Sequence, residues 1–85
     1  QKIVPYLKLA VEHNASDLYF SSGATAMLRI EGDMRPVGRN VLTSEFIREL
    51  AESILTAEQL ERFRRENEID VATEEGTRTK VVTDG

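Results

Sequence analysis

The feature that most constrains the fold is the alternation of apolar and polar residues in two short runs after Ala15. Residues 17–21 read Asp-Leu-Tyr-Phe-Ser, so Leu18 and Phe20 share one face. Residues 26–31 read Ala-Met-Leu-Arg-Ile-Glu and repeat the pattern. A two-residue period is typical of β-strands that bury one face. We therefore predict two half-buried strands in this part of the chain.

A glycine turn indicates how the second of these strands continues. Gly32 lies within Glu31-Gly32-Asp33, and glycine readily adopts the positive φ that a tight hairpin needs. Residues 34–37 then form the expected return strand. Because Pro36 lacks an amide donor, this strand is predicted to lie at a sheet edge or to be irregular.

The remaining segments predict three helices and a second hairpin. Apolar residues recur at three- and four-residue spacing after Ile3, and Thr43 and Thr56 stand at favourable N-cap positions, the second in a Thr-x-x-Gln capping box. The predicted elements are a helix over 3–14, helices that begin after Thr43 and Thr56, and strands over 68–73 and 77–83 joined by a turn at Glu74-Glu75-Gly76. This order favours the α+β class, with an antiparallel sheet and helices on one face.

Composition limits the chain to one small domain without cysteine chemistry. It has 85 residues, 40% of them apolar, and no cysteine, which excludes disulfides and thiolate sites. The net charge of −4 argues against nucleic-acid binding, which needs a basic face. No apolar run approaches the roughly 20 residues of a membrane span, so direct membrane insertion is not expected. A cytoplasmic domain is the default expectation.

Few residues offer chemistry. His13 is the only histidine and is expected at the surface, near a helix end. No G-x-x-x-x-G-K-[ST] run is present, so the chain itself is expected neither to cradle nucleotide phosphates nor to act as an enzyme. The acidic residues around the last turn lack metal-ligand spacing, and no metal or other cofactor is predicted for the chain alone. Arg78 and Lys80 share one face of the last predicted strand, and the pattern by itself favours an exposed polar face.

Several blocks of the sequence resemble one known family. Ala15-Ser16-Asp17-Leu18 is followed by Gly23, then by Arg29-Ile30-Glu31-Gly32 and Arg35-Pro36-Val37. This order and spacing resembles the N-terminal domain of the PilT/PilU-type pilus-retraction ATPases, within the type II/type IV secretion ATPase family. Gly76-Thr77-Arg78-Thr79-Lys80-Val81 is similar in outline to a strand that follows the last hairpin in that family.

The resemblance implies a PAS-like N-terminal domain over residues 1–85, with a C-terminal P-loop motor domain outside this chain. The parent protein would be a homo-hexameric, Mg-ATP-dependent motor that retracts type IV pili in twitching motility. Its N-terminal domain would have a regulatory and oligomerisation role and would pack on the neighbouring subunit's motor domain. The motor would work in the cytoplasm, at the inner-membrane platform of the pilus machine.

The resemblance also implies roles for five residues. Arg78 and Lys80 would contact the γ-phosphate of the nucleotide in the motor domain, where positive charge stabilises a transferring phosphoryl group. Ser16, Asp17 and Arg29 would lie at the contact between subunits. From its neighbours alone, Asp17 is instead expected to bond to nearby amides in a turn.

The main alternative is a free-standing PAS-like sensory or protein-interaction module. The apolar residues are few, however, and are expected to fill the core, which leaves little room for a ligand pocket between helices and sheet. An isolated domain is also expected to self-associate through an exposed edge strand, such as the strand that holds Arg78 and Lys80.

Overall fold

The protein is described by a computed structural model, which covers residues 2–73 and 76–84. Within these residues, helices and strands follow the predicted order. They are α1 Val4–Glu12, β1 Asp17–Ser21, β2 Ala26–Ile30, β3 Asp33–Val37, α2 Ser44–Ile54, α3 Ala57–Glu66, β4 Glu68–Ala72 and β5 Arg78–Val82. The predicted α+β class is confirmed. The predicted turn at 74–76 includes Glu74 and Glu75, which lie outside the described residues.

The sheet is mixed, and the prediction of an antiparallel sheet is wrong for one pair of strands. The strand order is β3-β2-β1-β5-β4, and β1 runs parallel to β5 while the other pairs are antiparallel. The backbone amide of Arg78 donates to the Ser16 carbonyl, and that of Ser22 donates to the Val82 carbonyl, both at 3.1 Å. Parallel strands need a long crossover. Here the chain passes through β2, β3, two helices and β4 before β5 begins, which provides that crossover.

The same strand order decides which strands are edges. β3 is one edge, so the prediction made from Pro36 is confirmed, and β4 is the other. β5, which holds Arg78 and Lys80, is flanked on both sides by β1 and β4. The expectation that β5 is an exposed edge is therefore wrong. β5 is not an exposed edge because its backbone donors and acceptors already bond to β1 and β4.

The helices pack on the sheet face that carries the alternating apolar residues. Phe20 of β1 is fully buried and meets the ring of Tyr6 of α1 edge-on, with ring centroids 5.0 Å apart. α2 adds Ile47 and Leu50, both fully buried, and α3 adds Phe63. The other fully buried large side chains are Leu18, Val81 and Thr79.

Local sequence signals fix the ends of the helices as predicted. The Thr43 side chain accepts a hydrogen bond from the amide of Phe46, and Thr56 forms the complete capping box with Gln59. Asn14, after α1, has φ of 55°, the left-handed conformation that often follows the end of a helix. None of the described helices is long and apolar enough to cross a lipid bilayer.

The β2–β3 hairpin turns on Glu31 and Gly32, which have φ of 51° and 85°. Ile30 pairs with Asp33 in the register, so the loop has two residues, and positive φ at both is the type I′ geometry. Asn-Gly is the preferred sequence for this turn, whereas glutamate tolerates left-handed φ poorly.

We expect Glu31→Asn to raise the free energy of unfolding by about 0.5–1 kcal/mol in urea denaturation. Gly32→Ala should lower it, and a stabilised Gly32→Ala variant would contradict this account of the turn.

A polar cluster ties the residues after β5 to the start of α2. The Ser44 hydroxyl donates to Asp84 Oδ1 at 2.7 Å, and the Asp84 amide donates to the Ser22 hydroxyl oxygen at 3.1 Å. The hydrogen bond from Ser44 holds the pKa of Asp84 below its ordinary value, with smaller help from backbone and Ser22 contacts.

Ser44→Ala is expected to move the pKa of Asp84 back up toward its ordinary value. A lowered carboxyl pKa means that the stabilising contribution is present above the ordinary pKa and is lost as the pH falls through the folded-state pKa. An NMR titration of the Asp84 side-chain carboxyl carbon measures the change directly. Ser22→Ala should give a smaller rise, and an unchanged pKa in Ser44→Ala would contradict the assignment.

Candidate functional site

The candidate site is the sheet face opposite the helices, here called the open face. Its members alternate with the buried residues along β1, β2, β4 and β5, and each is exposed or only half-buried. The residues of the open face used below are Asp17, Tyr19, Arg29, Glu68, Asp70, Arg78 and Lys80. The alternation that builds the core therefore also collects charged side chains on one surface.

Asp17 and Arg29 form an ion pair at one end of the open face. They are direct partners in the β1–β2 register, and Arg29 Nε lies 3.6 Å from Asp17 Oδ2. The Ser16 hydroxyl donates to the same Asp17 oxygen at 2.6 Å. The predicted trio of Ser16, Asp17 and Arg29 is thus one cluster, in which Asp17 bonds to side chains rather than to turn amides.

Arg29 is held in place by an aromatic side chain. Its Nε and NH2 groups donate to the Tyr19 hydroxyl at 3.2 and 3.1 Å, and the guanidinium carbon lies 5.6 Å from the ring centroid. The hydrogen bond with Tyr19 is the largest cause that raises the pKa of Arg29 above its ordinary value, and Asp17 adds to it. Arg29 is therefore a fixed, permanently charged group on this surface.

Arg78 and Lys80 are each paired with a carboxylate of the neighbouring strand β4. Arg78 NH2 lies 3.2 Å from Asp70 Oδ1, and Lys80 Nζ lies 4.0 Å from Glu68 Oε1. Both pairs are diagonal, because the β4–β5 register places Lys80 opposite Asp70 and Arg78 opposite Ala72. The Arg78 and Lys80 side chains are 55% and 42% exposed, and exposed pairs of this kind contribute only about 0.2–1 kcal/mol. Neither pair therefore contributes much to stability.

The strand register places four of the five predicted site residues on the open face. Asp17 lies opposite Arg29 on β2 and opposite Arg78 on β5, while Tyr19 lies opposite Lys80. Ser16 immediately precedes β1. The arrangement offers two cations for an anionic group beside a polar cluster that can engage a protein surface. Among the described residues, no group of three or more side chains has the geometry to hold a metal ion.

Sequence reasoning missed the partners of these residues. In the predicted hairpin, alternation places Glu68 and Asp70 on the same face of the sheet as Arg78 and Lys80. This alternation is the sequence signal that indicates their proximity. Tyr19 shares the alternation of Asp17, but its bond to Arg29 depends on the β1–β2 register. His13 is exposed, as predicted, and lies beside a cleft on the other side of the sheet.

Comparison with known proteins adds no assignment for this chain. No protein-family model matches it, and no curated protein matches it. The sequence resemblance described above is therefore the basis for a family proposal.

Proposed function

We propose that this chain is the PAS-like N-terminal domain of a type IV pilus retraction ATPase of the PilT/PilU type. The observation that carries the proposal is that residues from separate blocks of the resemblance lie close together in the structure. The Ala-Ser-Asp-Leu block supplies Ser16 and Asp17, the Arg-Ile-Glu-Gly block supplies Arg29, and these residues contact one another. The Gly-Thr-Arg-Thr-Lys-Val segment supplies Arg78 and Lys80 on the same face.

In this proposal the open face is the surface that meets the rest of a homo-hexamer. Ser16, Asp17 and Arg29 contact a neighbouring subunit. Arg78 and Lys80 face the Mg-ATP that the neighbouring motor domain holds, and the γ-phosphate replaces Asp70 and Glu68 as their anionic partner. A cation fixed beside the transferring phosphoryl group stabilises the charge that develops on it.

The proposal gives this domain a regulatory and assembly role and places ATP hydrolysis in the motor domain. The charges that sense nucleotide lie on β5, an interior strand that is directly bonded to β1. A displacement at Arg78 or Lys80 therefore reaches the Asp17 cluster through the neighbouring strand. The motor would act in the cytoplasm, at the inner-membrane platform of the pilus machine.

A free-standing interaction module is the second candidate, and one observation favours it. An open cleft of about 520 Å³ lies between α1 and the β2–β3 hairpin, away from the open face. A cleft of this size is within the range of small binding sites. This candidate needs no motor domain and no nucleotide.

Reading the gene downstream of the Gly85 codon separates the two candidates. We expect a G-x-x-x-x-G-K-[ST] motif roughly 40–60 codons further on, since the P-loop is the phosphate-binding element of the motor domain. An unrelated downstream domain without that motif would contradict the ATPase proposal and would leave the interaction module.

A further inference from the structure

The cleft between α1 and the β2–β3 hairpin exists because the helices do not extend over the edge strand. α1 packs on β1, and α2 and α3 pack toward β5 and β4. β3 lies at the opposite edge of the sheet. Its side chains Arg35 and Val37 point to the helix side, because the register places them opposite Leu28 and Ala26, which are buried there.

The floor and wall of this cleft are apolar. Leu28, Ile30 and Val37 form the floor and Leu9 of α1 forms the wall, while the rim carries Arg35 and His13. Leu28 is buried, whereas Ile30, Val37 and Leu9 are only half-buried, so part of their apolar surface meets solvent. Covering that surface is favourable because it removes apolar area from water.

Arg35 gives the cleft a charge that nothing on the described chain neutralises. Arg29, Arg64, Arg65 and Arg78 each have a carboxylate within 4.0 Å, whereas four other arginines have none among residues 2–73 and 76–84: Arg35, Arg39, Arg48 and Arg62. Of these four, Arg35 is the one that lines the cleft. Arg35 faces the same side of the sheet as Asp33 but forms no ion pair with it. An exposed guanidinium on an apolar floor is a bidentate donor suited to a carboxylate.

We propose that this cleft is a docking site for a segment of a partner protein that presents an apolar side chain next to a carboxylate. The apolar side chain lies on Ile30 and Val37, and the carboxylate accepts hydrogen bonds from Arg35. His13 stands at the rim as a further donor. The volume of about 520 Å³ accommodates a few residues, and the cleft is open to solvent beside the edge strand β3. The site lies on the helix side of the sheet and does not depend on the function proposed for the open face.

The blocked dipeptide N-acetyl-Leu-Glu-amide is the probe, titrated into the isotope-labelled chain and followed by amide chemical shifts. We expect saturable shifts at Ile30, Val37 and Gly38 and a Kd on the order of 1 mM. The matched probe N-acetyl-Leu-Gln-amide, which has no charge, should bind about fivefold or more weakly. Arg35→Gln should remove that difference between the two probes.

Arg62→Gln is the control variant. Arg62 is exposed on α3 and, like Arg35, has no carboxylate within 4.0 Å in the described chain, so its loss changes the net charge equally. It should leave both affinities unchanged. Because Arg35 is exposed, Arg35→Gln should keep the dispersed amide spectrum of the folded chain. Shifts centred elsewhere, equal affinity for the two probes, or an unaltered preference in Arg35→Gln would each overturn the proposal.

Discussion

Phe20→Ala is expected to lower the free energy of unfolding by about 3–5 kcal/mol. Phe20 has no exposed surface, meets the Tyr6 ring at 5.0 Å and lies opposite Val81 in the parallel pair. Its removal leaves a cavity at the point where α1, β1 and β5 meet. Small domains have total stabilities of about 5–15 kcal/mol, so urea denaturation followed by circular dichroism should show a large fall in the midpoint.

Val11→Ala is the control for this prediction. Val11 belongs to the same helix as Tyr6 but is 51% exposed, and such surface changes usually stay within about 0.5 kcal/mol. Equal losses in Phe20→Ala and Val11→Ala would contradict the packing described for the helix side of the sheet.

Thr79→Val is expected to stabilise the domain by about 1–2 kcal/mol. Thr79 is fully buried, and its hydroxyl has no hydrogen-bond partner among the described residues. It lies between Leu18 and Val71 in the sheet, an apolar setting in which a desolvated hydroxyl is costly. Valine keeps the shape and removes that cost. For a domain of this size, each 1 kcal/mol raises Tm by roughly 4–8 °C.

Thr79→Ser separates the effect of the hydroxyl from that of the methyl group. It keeps the hydroxyl and loses the methyl, so it should be less stable than the original chain. Thermal denaturation of the two variants measures both effects. A destabilised Thr79→Val variant would mean that the hydroxyl has a stabilising partner and would contradict this account.

The sequence predicts the elements of this fold well because their signals are local. Alternation marks β1 and β2, and the Thr43 and Thr56 caps mark where two helices begin. The β1–β5 pairing is not local, since the two strands are separated by most of the chain. The parallel direction of this pair depends on how α2 and α3 return the chain across the sheet. The residue pattern within either strand does not predict that direction.

The candidate site shows the same difference between local signals, which the sequence contains, and contacts that depend on the fold. Alternation predicts that Arg78 and Lys80 share a polar face, and the structure bears this out. Their pairing with Asp70 and Glu68 depends on the β4–β5 register, and the position of Asp17 opposite both Arg29 and Arg78 depends on strand order. The cleft beside Arg35 depends on where α1 ends relative to β3, which is again a matter of packing.

Single-turnover ATP hydrolysis by the full-length protein tests the central claim most directly. With Mg-ATP bound, Arg78→Gln and Lys80→Gln should each reduce the rate by about tenfold or more, because each removes a cation near the transferring phosphoryl group. Arg62→Gln, which changes the net charge equally on the helix side of the domain, should hydrolyse ATP at the original rate. Unchanged rates in both open-face variants would contradict the claim that this surface faces the nucleotide.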